Sequence, residues 1–390
     1  MTLQTIEGSL AIADVTKDCG VEVVAAYPIT ASTHIAHQLN KHWADGLIPK
    51  FIAVEAEFSA ISAAKGASAA GARVFTATSG QGLLLMHEAL HAVAGMRLPV
   101  VMCVANRAIS APLNVWNDEQ DTISQRDTGW IQIYCKDNQQ AVDAIPQAFV
   151  IAEKLMLPVM VCIDGFYLTH AVEQIDVPEA DKIKKFVPPY NNPYRLDPEH
   201  PISLGVYTAP PEYQEFRQDL CDDMDKAVGE IEKIGADYGK AFGRPYGLYE
   251  CYKCEDADRV MLTLGSMAAN IEKTVDTLRA KGEKVGVMHL RVYRPFPREQ
   301  LRKALEGKHV MVIERDISPG AVPPLYSEVV EATVGTKSFV SYAVGALGGR
   351  EVRGAEIEKL FALMKEGKQI RTWIGVNPKA TAPQPIELRK

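Results

Sequence analysis

The sequence has little excess charge of either sign. Its 390 residues carry 42 Lys and Arg against 49 Asp and Glu, a formal net charge of −7. Broad binding to nucleic acid or to anionic membranes needs a basic face, and this balance argues against both. Long apolar runs are missing too. The longest, such as 155–163, fall far below the ~20 residues of a membrane helix. The N-terminal residues lack a basic leader and an unbroken apolar core, since Glu7 and Asp14 interrupt them, so no secretory signal is predicted. Cysteine is sparse, at seven residues scattered along the chain, and no run has the spacing of an iron–sulfur ligand set. Several cysteines sit in apolar runs, VVMCVAN and PVMVCID, as buried small hydrophobes do in a reducing compartment. A cytoplasmic location is the expectation. No sequence repeat relates residues 1–170 to residues 256–390.

What remains is ordinary globular composition, 47% hydrophobic and 23% charged. The length predicts two or three domains and a core that needs no disulfides. Residues 1–170 alternate strand and helix signals. Strands read at VEVVAAY (21–27), FIAVEAE (51–57), ARVFTAT (72–78), LPVVMCVA (98–105) and LPVMVCID (157–164). A helix of small residues covers 58–70, and another covers 83–95. Continuous apolar strands between helices indicate a parallel sheet covered on both faces. Residues 171–255 change character. Pro178, Pro188, Pro189, Pro193, Pro198, Pro201, Pro210 and Pro211 crowd one stretch, which predicts a long connection without helix or central strand. A polar acidic helix over 212–236 closes it. Residues 256–390 alternate again, with strands at 259–265, 284–293, 309–315 and 338–345 and helices near 267–281, 297–305, 324–334 and 355–366. The predicted fold is α/β: two doubly wound, mostly parallel sheet domains, 1–170 and 256–390, joined by a proline-rich linker and acidic helix at 171–255.

Three patterns compete for the chemistry. His87-Glu88-Ala89-Leu90-His91 matches HExxH, which places two imidazoles on one helix face for zinc, with Glu119 as a candidate third ligand and Glu88 as base. Ala94 stands where the extended motif wants glycine, and the alternative is two partly buried helix histidines. Asp164-Gly165 followed by Asn191-Asn192 resembles a diphosphate–Mg²⁺ signature, but Ile163 replaces its first glycine and a proline-rich stretch intervenes; the alternative is a strand end and a turn. Cys251-x-x-Cys254 has no second pair and reads as surface thiols. The third pattern is a constellation. Tyr27-Pro28-Ile29-Thr30, Glu57, Thr76–Gly82 and Asn106-Arg107 all close parallel strands, where open α/β sheets bind ligands. One acid, one fixed cation, hydroxyls and glycines suit a small carboxylate beside a heteroaromatic ring. Each element also has a plain reading: Glu57 as a favourable helix N-terminus, Arg107 as a salt-bridge residue, Thr30 as a helix cap.

Longer motifs separate these readings. YPITAST (27–33), VEAEFSAISAAKGASAAGARVFTATSGQGLLLMHE (54–88), NRAISAPLNVWNDEQDTISQRDTGWIQIY (106–134), DGFYLTH (164–170), RVYRPFP (291–297) and GALGGRE (345–351) run nearly end to end. Together they resemble the alpha subunits of the 2-oxoacid:ferredoxin oxidoreductase family, the pyruvate:ferredoxin oxidoreductases above all. The resemblance implies a pyrimidine-binding domain for thiamine diphosphate followed by a transketolase-C-like domain. It implies that a beta subunit supplies the diphosphate and Mg²⁺ half of that site. Gamma and delta subunits, or fused equivalents, would complete a cytoplasmic, twofold assembly, with [4Fe-4S] clusters on partner subunits and none here. The reaction implied is oxidation of a 2-oxo acid, pyruvate first, to acyl-CoA and CO₂, with coenzyme A and ferredoxin or a similar carrier. Branched-chain and aryl 2-oxo acids remain alternatives, as do a zinc hydrolase on HEALH and a non-catalytic scaffold. Residue by residue, the resemblance gives Glu57 the contact with N1′ of the aminopyrimidine and Arg107 the substrate carboxylate. Thr30 receives a hydrogen bond to substrate, and Tyr27, Pro28 and Ile29 a place against the cofactor. Ala31 replaces the usual proline of YPITPST, which predicts a looser loop beside Thr30. Thr30 itself argues against an oxalate enzyme, where an arginine is expected. Trp116 and Trp130 read as packing or interface anchors, and Asn117-Asp118 and Arg126-Asp127 as a polar network holding a loop.

Overall fold

The computed structural model describes residues 2–192 and 194–377. Two large sheets carry the architecture. The first has seven strands in the order Val292–Arg294, Ile131–Tyr134, Val159–Asp164, Val101–Asn106, Val74–Thr78, Val23–Ala26, Lys50–Ala53. All pairs are parallel except the outermost, where Val292–Arg294 runs antiparallel to Ile131–Tyr134. The second has six strands in the order Arg371–Trp373, Phe339–Val344, His309–Glu314, Arg259–Thr263, Val285–Leu290, Tyr249–Tyr252, with only the last antiparallel. The central strands are buried along their whole length. Their near-continuous Val, Ile, Met and Ala content follows from helices lying on both faces.

Three apolar clusters fill the layers. The first packs helices Gly8–Asp18, Thr33–Ala44 and Asn138–Leu155 on one face of the first sheet. The second packs helices Glu57–Ala69 and His87–Gly95 on the opposite face, then continues onto the second sheet through Val260 and Leu262 and onto helix Pro324–Ala332 through Leu325. The third packs Met267–Ala280 and Gly354–Met364 on the far side of the second sheet. Among the described residues, no helix is long and apolar enough to cross a membrane.

Two readings of the sequence differ from the structure. The run 284–293 is not one strand. It breaks at Arg291: Val285–Leu290 stays in the second sheet, and Val292–Arg294 crosses to the first. Arg291 is buried, its N–H donates to Leu248 O at 3.0 Å, and its guanidinium reaches Gln147 Oε1 at 3.1 Å. A polar residue held between two sheets ends one ladder and starts another. The proline-rich stretch also holds regular structure. Val172–Val177 pairs antiparallel with Thr2–Glu7, Ala180–Phe186 is helical, and a 33-residue helix spans Pro210–Phe242. Pro210 and Pro211 begin that helix, where a missing N–H costs nothing because first-turn donors have no intrahelical acceptor. Its Ile231, Tyr238 and Phe242 join the first cluster.

Candidate active site

The carboxyl ends of four adjacent strands bring the sequence constellation together. Glu57 is the first residue of helix Glu57–Ala69 and is 7% exposed. A carboxylate there is favoured by the unpaired N–H groups of the first turn. Gly82 lies directly beside it: a Cβ on that glycine would stand 2.6 Å from Glu57 Oε1 and 2.7 Å from Thr78 Oγ1. The glycine therefore keeps open the space that the carboxyl and the hydroxyl face. Thr78 Oγ1 and Gln81 Nε2 are buried without a hydrogen-bond partner.

Arg107 follows the strand Val101–Asn106 and is also 7% exposed. Its Nη1 donates to Thr30 O at 2.6 Å, its Nη2 to Gln81 Oε1 at 2.9 Å, and its Nε to Asn114 O at 3.4 Å. These contacts use one N–H on each terminal nitrogen and leave the other for a planar anion. Burial pulls the Arg107 pKa down, while the charges of Asp121 and Glu57 push it up. Thr30 and Pro28 are exposed on the rim, and Tyr27 and Ile29 are half-buried. Ala31 gives this loop a backbone donor that a proline lacks. It is fully buried, and its N–H donates to Ser79 Oγ at 3.2 Å, whose hydroxyl donates to Ala105 O at 2.7 Å.

One residue that the sequence did not single out joins these loops. Asp121 is wholly buried and accepts Gly80 N and Arg107 N on Oδ2, each at 2.9 Å. Asn106 Nδ2 at 2.9 Å and Thr122 N at 2.8 Å reach Oδ1. Burial pushes its carboxyl up to about 7, against the pull of the backbone donors at Arg107, Gly80 and Thr122. The sequence shows Asp118, Glu119 and Asp121 as one acidic run, and nothing in their order tells which faces which partner.

The loop after Arg107 spans the two sheets. Asn114 Nδ2 donates to Gly348 O at 3.1 Å, Gly349 N to Asn117 O at 2.7 Å, and Gly348 N to Asp118 Oδ2 at 3.0 Å. Beneath it, Arg315 from the end of one strand meets Asp164 from the end of another. Its Nη1 lies 2.8 Å from Asp164 Oδ2 and 3.3 Å from Glu119 Oε1. All three are buried. Trp130 sits in the core with its Nε1 donating to Leu90 O at 3.0 Å, whereas Trp116 is 48% exposed and lies against Phe166.

The competing motifs come apart. His87 Nδ1 pairs with Gln125 Oε1, and Glu119 is committed to Arg315 rather than to the histidines. Asp164 faces Arg315 and Ser266 at the carboxyl end of the first sheet. Asn192 lies with the segment that meets Arg73 and Ala69 at the opposite end, through Pro188 O and Leu196 N. The two halves of the Mg²⁺ signature are thus on opposite edges. Among the described residues, no group of three or more His, Cys, Asp or Glu is placed to hold a metal ion. The residues present do suit an aminopyrimidine: one buried acid, one unspent hydroxyl, one unspent amide nitrogen and a glycine-lined gap.

Comparison with known proteins points the same way. Residues 14–236 match the family described as pyruvate flavodoxin/ferredoxin oxidoreductase, thiamine diP-binding, and residues 257–357 match pyruvate:ferredoxin oxidoreductase core domain II. The chain is 45% identical to pyruvate synthase subunit PorA of Methanosarcina barkeri, over 94% of this chain and 92% of that one. It is 42% identical to the subunit of the same description in Methanothermobacter thermautotrophicus, over 96% and 99%. It is 39% identical to ketoisovalerate oxidoreductase subunit VorA of Pyrococcus horikoshii, over 93% and 94%. A solved 2-oxoglutarate:ferredoxin oxidoreductase from Magnetococcus marinus shares the fold at a TM-score of 0.74 and 21% identity. The match covers 93% of this chain and 65% of that chain.

Proposed function

Because this chain belongs to the pyruvate:ferredoxin oxidoreductase family, we propose that it is the alpha subunit of a thiamine diphosphate-dependent 2-oxoacid oxidoreductase, acting on pyruvate to form acetyl-CoA and CO₂. When bound, thiamine diphosphate supplies the reactive carbon and the electron sink for decarboxylation. The chain's own residues do the rest. Glu57 holds a proton against N1′ of the pyrimidine, in the gap that Gly82 leaves. Tyr27, Pro28 and Ile29 wall that gap from the neighbouring strand end. Arg107 receives the substrate carboxylate on the N–H groups that Thr30 and Gln81 do not use, a bidentate geometry that a guanidinium suits. Thr30, on the rim, offers its hydroxyl to the same substrate. A partner beta subunit would grip the diphosphate and Mg²⁺, since Asp164 and Asn192 lie too far apart to do so. Gamma and delta subunits or fused equivalents would carry the [4Fe-4S] clusters, and ferredoxin or a similar protein would take the electrons. Coenzyme A would take the acyl group.

The observation that carries this reading is the convergence of Glu57 and Arg107, from the carboxyl ends of one sheet, around unspent polar atoms of Thr78 and Gln81. Its test is CoA-dependent pyruvate oxidation by the assembled complex with a viologen dye. Glu57→Gln is expected to lower turnover by ~10²-fold or more, the range that acid–base groups supply. Normal turnover would leave the chain a scaffold. A second substrate reading rests on the ketoisovalerate relative at 39% identity. A panel of 2-oxo acids separates the two, and a higher kcat/KM for a branched-chain acid than for pyruvate would favour it.

A further inference from the structure

Asp121 spends all of its acceptor capacity on two loops that carry other residues' chemistry. A carboxylate offers about four lone-pair sites. Here they take Gly80 N and Arg107 N on Oδ2, and Asn106 Nδ2 and Thr122 N on Oδ1. Gly80 follows the strand Val74–Thr78, and Arg107 follows its neighbour Val101–Asn106. One oxygen thus ties two strand ends by their backbones. The residue after Gly80 is Gln81, which takes the Arg107 Nη2 donor, and the next is Gly82, which makes room for Glu57. Gly80 sits at φ +49, and a Cβ there would come within 3.2 Å of the Arg107 side chain. The neighbouring acids are occupied elsewhere: Asp118 with Gly348 N and Gln120, Glu119 with Arg315. Asp121 itself is too deep to touch a ligand.

We propose that Asp121 is a positioning residue for the reaction, its carboxylate holding the Gly80 and Arg107 strand ends in one register so that guanidinium and Glu57 face one shared space. This rests on the roles read above for Arg107 and Glu57. In Asp121→Ala both acceptor oxygens go, and the Gly80 and Arg107 N–H groups lose the one atom that joins them.

The test uses the assembled, cofactor-loaded complex and the non-reactive pyruvate analogue oxamate, with binding followed by calorimetry. Asp121→Ala is expected to weaken oxamate ~10-fold or more, the scale of one charge-assisted hydrogen bond. The KM for pyruvate should rise in parallel and the KM for coenzyme A should stay. A merely structural role would lower the thermal midpoint and the yield of complex without singling out the carboxylate ligand. If Asp121→Ala does not assemble, Asp121→Ser decides, since its single, shorter hydroxyl cannot accept from both Gly80 N and Arg107 N; a loss of about two- to fivefold is expected. Arg107→Ala runs beside them. Oxamate affinity kept in the deciding variant but lost in Arg107→Ala overturns the proposal. Affinity kept in Arg107→Ala takes away the Arg107 reading, and the proposal with it.

Discussion

Arg107 is a cation whose surroundings decide what it can bind. Three protein acceptors hold its guanidinium without a carboxylate among them; Glu57 acts on it through charge, and Asp121 through charge and through the Arg107 backbone N–H. A small carboxylate would complete it. Arg107→Ala is expected to raise the KM for the 2-oxo acid by the loss of a charge-assisted pair, about 1.5–3 kcal/mol, with a smaller change in kcat. Steady-state kinetics of the complex check this, and an unchanged KM removes Arg107 from the site. A second residue-scale expectation concerns Asp316. Burial pushes its carboxyl up to about 6, against the pull of a hydrogen bond with Glu314 and the Arg126 charge, and Glu314 is itself pushed well up by burial and by Asp316. The folded chain therefore keeps a proton that the unfolded chain has already lost near pH 4. The Asp316 contribution to stability falls as pH rises through that window and levels off above about 6. Asp316→Asn mimics the protonated form. Its lead in thermal midpoint over the parent is expected to grow between about pH 4 and 6; a lead that does not change with pH would sink the account.

At the scale of elements, the loop after Arg107 is the piece most exposed to a single substitution. Gly349 has φ +75, and a Cβ there would stand 2.6 Å from Trp116 Cβ, an atom fixed to the backbone. Gly349→Ala must push the loop off the second sheet and disturb the Gly349 N to Asn117 O bond. The expected outcome is a lower thermal midpoint together with a raised KM for the 2-oxo acid, because Asn114 O on the same loop is an Arg107 partner. A fall in midpoint with no change in KM would show that the loop's place on the second sheet does not govern Arg107. Elements were unevenly legible. The strands at 72–78, 98–105 and 157–164 and the helices near 267–281 and 355–366 stood out because buried parallel strands and amphipathic helices leave strong apolar patterns. The helix Pro210–Phe242 was only half legible, because composition alone does not tell a proline at the first turn from one that breaks a helix.

For the molecule as a whole, the two sheets are locked together at facing strand ends. Arg315 is the buried cation between Asp164 and Glu119, and Gly265, at φ +58, leaves room for all three; a Cβ there would lie 2.7 Å from Glu119 Oε1. Arg315→Met would leave two buried acids without their counter-ion, at a cost of about 3–5 kcal/mol. Thermal or chemical denaturation of the complex should show that loss, and an unchanged midpoint would mean that the apolar cluster shared by the two sheets carries their docking alone.

The sequence by itself determined the α/β class, the family, and the neighbourhood of Glu57, Thr30 and Arg107, because each of these is written in consecutive residues: apolar runs, strand-end motifs, long matching segments. Only the tertiary structure decided that 284–293 serves two sheets and that Ala31 is pinned by Ser79. It likewise decided that Glu119 belongs to Arg315 rather than to His87 and His91, and that Asp121 joins two strand ends. Those facts depend on which distant groups share a small buried volume. There, an acid's partner is set by the donors that packing places within hydrogen-bonding reach, and the order of residues along the chain does not hold that information.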